Sequence, residues 1–396
     1  MNFNKLREYQ ENLESRFGIP ATDLIVMKDH KVIYRHMCGY SDFARSMPVN
    51  ANDLYRLFSA TKIITATAAM QLVERGKLRL FDRLDTYLPE FAAMRVVDAF
   101  SKTERPIIWP KRDARSHIAN HPIRIIDLIT MSAGFSYDLM AETLQEEIAA
   151  SNHHATTREM ITALSQMPLL YEPGTGWAYS LAHDVLAAVI EVVSGEQYSE
   201  YLRHHVFGPL GVDDFYFHPD AKTRERIAAF YQKDRSGRIG PDDGGYSNSF
   251  VFTDRYESGG AGLITTVDAY STVLDALANG GVGGNGVRIL KEDTVHLFST
   301  HYTTDKCLDD FIAFRQGRDD YGYGLGVRVH IKNTETNRSP LGEFGWDGAA
   351  GAYALVDTEN KLCVFYAQHM MQCVEAFAFI HPAIRDLVYE CLETDT

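Results

Sequence analysis

The chain has 396 residues, 45% hydrophobic and 23% charged, the balance of a globular protein able to bury a large core as one domain or two. Its formal net charge of −14 argues against a nucleic-acid surface and against an anionic membrane as partner. The five cysteines, Cys38, Cys307, Cys363, Cys373 and Cys391, are odd in number and lack CxxC spacing, so they read as free thiols in a reducing compartment.

The first residues, Met1-Asn2-Phe3-Asn4-Lys5-Leu6, lack the apolar run of a secretion signal, and no apolar segment is long enough to span a bilayer. These features point to the cytoplasm. Leu6, Tyr9, Leu13 and Phe17 repeat at helical spacing and predict an amphipathic first helix. Leu24 to Met27 and Val32 to Tyr34, parted by Asp29-His30, predict a hairpin. An Ala-rich helix follows from Ser59 and ends near Gly76. Residues 96–122, with Pro106, Pro110 and Pro122, read as a long surface loop. Helices are expected at Ile123 to Met131, Thr157 to Ser165 and Leu181 to Val193. Small residues at Ser258 to Gly262 lead to an extended piece and a helix from Val267 to Asn279. Gly324 to Val329, Ala352 to Val356 and Leu362 to Ala367 are strand candidates, and Ala383 to Leu392 is a closing helix. Strands at both ends and helices between them predict an α+β fold. In it, 1–95 and 251–396 form a sheet subdomain and 96–250 a mostly helical one.

The chemistry is concentrated at Leu57-Phe58-Ser59-Ala60-Thr61-Lys62. Residues three apart share a helix face, so the Ser59 hydroxyl and the Lys62 amine point into one space. Backbone N–H groups at a helix start favour developing negative charge beside Ser59. No charged residue follows Lys62 until Glu74, which makes Lys62 a lone cation on a core helix, the setting in which a lysine becomes a neutral base. Two further stretches could complete a site. Tyr179 stands at the exit of the Pro- and Gly-rich loop from Tyr171 to Ser180, where a phenol can relay protons. Phe344 to Gly351 precedes a strand, and its small residues would let an N–H approach a ligand. Taken alone, Tyr179 reads as a packing aromatic and the glycine-rich run as a hairpin turn. His183, four residues after Tyr179, reads as a packing residue. Gly281 to Gly286 fits G-x-G-x-x-G but follows a helix, so it predicts no dinucleotide site. No HExxH run and no G-x-S-x-G elbow is present.

Together, Ser59-Ala60-Thr61-Lys62 (S-x-x-K), Tyr179-Ser180-Leu181 (Y-x-N) and Trp346-Asp347-Gly348 (K-T-G) resemble the serine β-lactamase and penicillin-binding superfamily. The resemblance is to its class C-like branch, nearest the family VIII carboxylesterases, and runs over most of the chain. It implies a β-lactamase-like fold: an antiparallel sheet flanked by N- and C-terminal helices, with an inserted helical subdomain and a cleft between. It also implies Ser59, Lys62 and Tyr179 as catalytic residues, the N–H groups of Ser59 and Ala349 as an oxyanion hole, and no metal or cofactor. Tyr137, Trp177, Trp346, Asp347 and Gly348 are the expected substrate contacts.

Two departures bear on substrate. Leu181 stands where the motif has Asn, and Trp346 where it has Lys, so the site loses an amide and a cation. An apolar site suits a small, uncharged ester better than an anionic β-lactam. The expected activity is therefore hydrolysis of carboxylic esters through an acyl-enzyme. A β-lactamase or D-amino-acid peptidase, an acyltransferase and a non-catalytic binding protein of the same fold are the alternatives. The natural ester and the oligomeric state are not legible.

Overall fold

The computed structural model describes residues 1–100 and 108–393. Its main sheet has seven strands. These are β1 (Ala21–Lys28), β2 (Lys31–Gly39), β3 (Tyr321–Tyr323), β4 (Arg328–His330), β5 (Phe344–Asp347), β6 (Tyr353–Asp357) and β7 (Leu362–Gln368). The order is β3-β4-β5-β6-β7-β1-β2, with every neighbouring pair antiparallel. The N-terminal hairpin thus completes a sheet begun by the last third of the chain. It turns through Asp29 and His30, with φ of 47° and 64°, the left-handed pair that a two-residue hairpin needs.

Both faces of the sheet are covered, which is why its central strands read as continuous apolar runs. In β1, Leu24 and Val26 join Val364, Tyr366, Leu6 and Ile384 against the terminal helices. Ile25, one step along, faces the larger core with Phe365, Ala354 and Ile63. The terminal helices are Asn4–Glu11, Leu13–Phe17 and His381–Glu393. The predicted first helix is thus broken at Asn12. On the other face lies the helix Thr61–Glu74, buried from Thr61 to Leu72 on every side. A helix apolar all round belongs between layers, and this one lies between the sheet and the helix Ala182–Ser194. The fold is β-lactamase-like α+β.

Several local expectations change. Residues 96–122 are not all irregular: Arg95–Val97 pairs with Ser116–Ile118, and the Trp109 indole N–H donates to the Pro168 carbonyl inside the core. Pro106 lies outside the described residues. Gly324 to Val329 is not one strand, because the chain turns at Gly326 (φ 76°) between β3 and β4. Phe344 to Asp347, expected as a turn, is the strand β5; a Cβ on Gly345 would lie 1.9 Å from the Ala354 carbonyl oxygen, so only glycine allows that closeness. The 96–250 segment contains the strand Tyr231–Lys233, which pairs in parallel with Met370–Met371. The helix Asp305–Phe314 is a further element that periodicity did not reveal. Among the described residues, no helix is long and apolar enough to cross a membrane.

Candidate active site

Ser59 is delivered by a strained turn. The short strand Tyr55–Arg56 pairs with Ile264–Thr265, and a 3₁₀ turn, Phe58–Ala60, then runs directly into the helix Thr61–Glu74. Phe58 has φ +46°, a left-handed conformation unusual for a bulky residue. Its ring is held 5.8 Å from that of Phe230 and 6.2 Å from that of Phe250. Strain of this kind persists where packing over-determines it, as at functional sites. Ser59 is 8% exposed and Lys62 fully buried, so the hydroxyl lies at the mouth and the amine on the floor. Lys62 Nζ is 3.3 Å from Ser59 Oγ, 3.3 Å from the Tyr137 hydroxyl and 2.8 Å from the Gly260 carbonyl, to which it donates. Burial pulls the Lys62 amine down to about 7, against an upward pull from the Asp184 carboxylate.

Two phenols close over this pair. The ring centroid of Tyr179 is 4.5 Å from Lys62 Nζ, and that of Tyr137 is 5.2 Å away. The two rings stack at 5.0 Å and 16°. The Tyr179 hydroxyl accepts from the Trp346 indole N–H at 2.9 Å. Burial pushes both phenols up, and hydrogen bonding to the Ser59 hydroxyl only partly offsets it, so both stay protonated at neutral pH. A neutral amine, a hydroxyl and protonated phenols in one crevice can move a proton off the serine and onto a leaving group.

The third stretch reaches the serine from the sheet. A Cβ on Gly348 would fall 2.2 Å from the Leu57 carbonyl oxygen, so the chain leaving β5 lies directly on the serine turn. Ala349 packs with Phe58, Phe230 and Ala350. Among the described residues its N–H donates to no acceptor, leaving a donor beside the serine turn.

A family model described as Beta-lactamase matches residues 6–387. The chain belongs to the Beta-lactamase family. It is 30% identical over 343 residues to the lovastatin esterase of Penicillium rubens, covering 80% of this chain and 79% of that one. It is 28% identical over 349 residues to the protein Rv1367c of Mycobacterium tuberculosis, covering 86% and 84%. The solved structure of EstCE1, titled a hydrolase with promiscuous acyltransferase activity, superposes with a TM-score of 0.77 at 25% identity over 98% of both chains. The protein is a serine hydrolase of this β-lactamase-related group, with esterases and acyltransferases among its relatives.

Within this β-lactamase-family site, the remaining predicted residues fall in different places. Trp177 is buried, stacking with Tyr179 at 6.2 Å and packing edge-on to Phe311 and Tyr323, so it supports Tyr179. Trp346, expected where the motif has lysine, touches Tyr179. Asp347, expected as a substrate contact, is directed elsewhere. Successive strand residues point to opposite faces, and its carboxylate meets Arg328 at 2.9 Å and Arg315 at 3.5 Å. Burial alone would raise that carboxyl, but Arg328, His381 and Arg315 together hold it below its usual range. His183 is buried, its Nε2 3.3 Å from the Ile129 carbonyl, and burial drops it to about 3.

Other wall residues carried no sequence signal of their role. Phe314, from the unanticipated helix, packs on Tyr179 at 5.3 Å, and Phe250, from a Gly/Asp/Ser-rich loop, packs on Tyr137 at 5.6 Å. Asp184 could have been flagged, as a lone carboxylate among apolar residues five positions after Tyr179.

Proposed function

We propose that the protein hydrolyses small, neutral carboxylic esters through an acyl-enzyme on Ser59. The observation that carries this is the buried Lys62 amine, 3.3 Å from the Ser59 hydroxyl and brought close to neutral pH by desolvation. Neutral Lys62 takes the Ser59 proton as Oγ attacks the ester carbonyl. The N–H groups of Ser59 and Ala349 stabilise the oxyanion. When the tetrahedral intermediate collapses, the C–O bond to the alcohol breaks and Tyr179 gives its proton to the departing oxygen. Protonated Lys62 then restores the Tyr179 proton. Water attacks the acyl-enzyme by the reverse sequence and releases the acid.

Substrate neutrality follows from what surrounds the serine. Trp346 replaces the cation that would meet an anionic substrate, and Asp347 is neutralised by arginines. Tyr137, Phe58, Phe230 and Phe250 supply apolar wall. The lovastatin esterase and Burkholderia gladioli EstB support the ester reading by their names. The five free cysteines support a cytoplasmic location, which fractionation of the native host would test.

The deciding assay is a panel of p-nitrophenyl esters of graded chain length, run on wild-type protein and Ser59→Ala. Wild type should turn over the short esters and Ser59→Ala should not. Activity that survives in Ser59→Ala overturns the assignment. Faster turnover of a chromogenic cephalosporin than of any ester would move it to β-lactamase chemistry. EstCE1's title favours a second outcome at the same acyl-enzyme, transfer to an alcohol. Added alcohols would then yield new esters at the expense of free acid.

A further inference from the structure

We infer that Asp184 is a positioning residue: it anchors the turn that presents the Gly260 carbonyl to Lys62, and its charge sets how basic that lysine is. This rests on the proposed role of Lys62 as the base.

Asp184 lies fully buried on the helix Ala182–Ser194, beside Val185, Leu186 and Ala187. A carboxylate in such surroundings is costly unless it is hydrogen-bonded. Its Oδ1 accepts from the Tyr256 hydroxyl and from Ser258 Oγ, each at 2.6 Å, the length of a bond to an ionised oxygen. Both donors stand on the segment that runs into Gly259 and Gly260. Ser258 Oγ also accepts from the Ala261 N–H at 3.0 Å, so the same contacts fix the turn.

The two glycines let this turn lie against the helix. A Cβ on Gly259 would be 2.5 Å from the His183 carbonyl oxygen. A Cβ on Gly260 would be 2.6 Å from Asp184 Oδ2 and 3.6 Å from Lys62 Nζ. The room left by that missing side chain is therefore the gap between carboxylate and amine. Oδ2 itself is buried and faces that gap. On its other side the Gly260 carbonyl holds Lys62 Nζ at 2.8 Å.

The other titratable groups around Lys62 are uncharged at neutral pH. Tyr137, Tyr179 and Tyr256 are pushed up by burial, as is Tyr198 beneath the turn. His183, on the same helix as Asp184, is pushed down to about 3 by burial and by the lysine itself. Among the described residues, Asp184 is the carboxylate whose field reaches Lys62. Burial raises the Asp184 carboxyl, and Ser258, Tyr256 and Lys62 act against that rise. Desolvation lowers the basicity of Lys62, and the carboxylate restores part of it.

The test is kcat/KM against pH for p-nitrophenyl butyrate in wild type, Asp184→Asn and Ser258→Ala, with Ser59→Ala as control. The amide is isosteric and uncharged, so the Lys62 amine should lose its proton more readily. The acidic limb of the profile should then move about one pH unit lower, the usual scale for removing a nearby opposite charge. A purely structural Asp184 would lower the melting temperature and the yield of active enzyme but leave the limb where it is in wild type, and that result overturns the inference. If Asp184→Asn does not fold, Ser258→Ala decides. Loss of a donor to the carboxylate must displace the limb, and an undisplaced limb in folded Ser258→Ala overturns the inference. Activity in Ser59→Ala would instead sink the parent assignment, so the two failures are distinguishable.

Discussion

The Trp346 indole N–H donates to the Tyr179 hydroxyl at 2.9 Å. This bond holds the phenol whose ring lies over Lys62. Trp346→Phe keeps an aromatic wall and deletes this donor. A neutral hydrogen bond contributes about 1 kcal/mol net, so kcat for esters should fall about five- to tenfold with KM little changed. Steady-state kinetics on one ester checks this, and an unchanged kcat would detach Trp346 from the chemistry.

The Lys62 amine, at about 7 in the folded protein, must be neutral to accept the Ser59 proton. Activity should therefore rise through an acidic limb centred near pH 7 and level off above it. A limb centred near pH 4 or 5 would point to a carboxylate base instead.

The same shift has a stability consequence. Unfolding returns Lys62 to its usual 10.5, so the unfolded chain binds the extra proton and stability rises with pH between about 7 and 10.5. At pH 7 the buried amine costs the fold on the order of a few kcal/mol. Lys62→Met should abolish ester hydrolysis yet melt at a higher temperature than wild type at pH 7. The gain should shrink as pH approaches 10. Calorimetry at two pH values reads both effects.

Gly348 lies against the serine turn, where a Cβ would meet the Leu57 carbonyl oxygen at 2.2 Å. Gly348→Ala must push β5 and the turn apart. It should cost about 1–3 kcal/mol of stability and at least tenfold in kcat, because Ala349 moves with it. Loss of stability without loss of kcat in the folded fraction would remove this strand end from the oxyanion site.

Asp347 is tied to Arg328, itself 2% exposed at its side chain. Asp347→Asn leaves that guanidinium short of a partner, and breaking a buried pair costs about 3–5 kcal/mol. The melting temperature should drop clearly, while KM for neutral esters in the folded fraction stays within twofold. A large KM change at unchanged stability would restore Asp347 as a substrate contact.

The local parts of this protein were readable from the order of residues alone. Ser59 and Lys62 meet because three positions on a helix bring side chains together, wherever the helix sits. The hairpin at Asp29-His30 and the helix ending at Gly195 (φ 78°) are likewise encoded within a few residues. Tyr179, taken alone, reads as a packing aromatic, and only the resemblance of Tyr179-Ser180-Leu181 to the Y-x-N motif made it a catalytic candidate. Its partner Tyr137 was placed only as a pocket wall, because the contact with Lys62 spans 75 positions and depends on two loops folding onto one helix.

What the fold alone decided follows from packing across distance. Asp347 turned from substrate to arginines because Phe344–Asp347 is a strand, and its glycine-rich sequence fits a turn equally well until β4 and β6 pair with it. Phe314 and Phe250 became walls because separate segments converge on two tyrosines. Asp184 met Lys62 only because two glycines let a turn pass between them. Spacing along the chain determines which groups share a face. Desolvation and long-range contact determine their charge, and those exist only once the layers have closed.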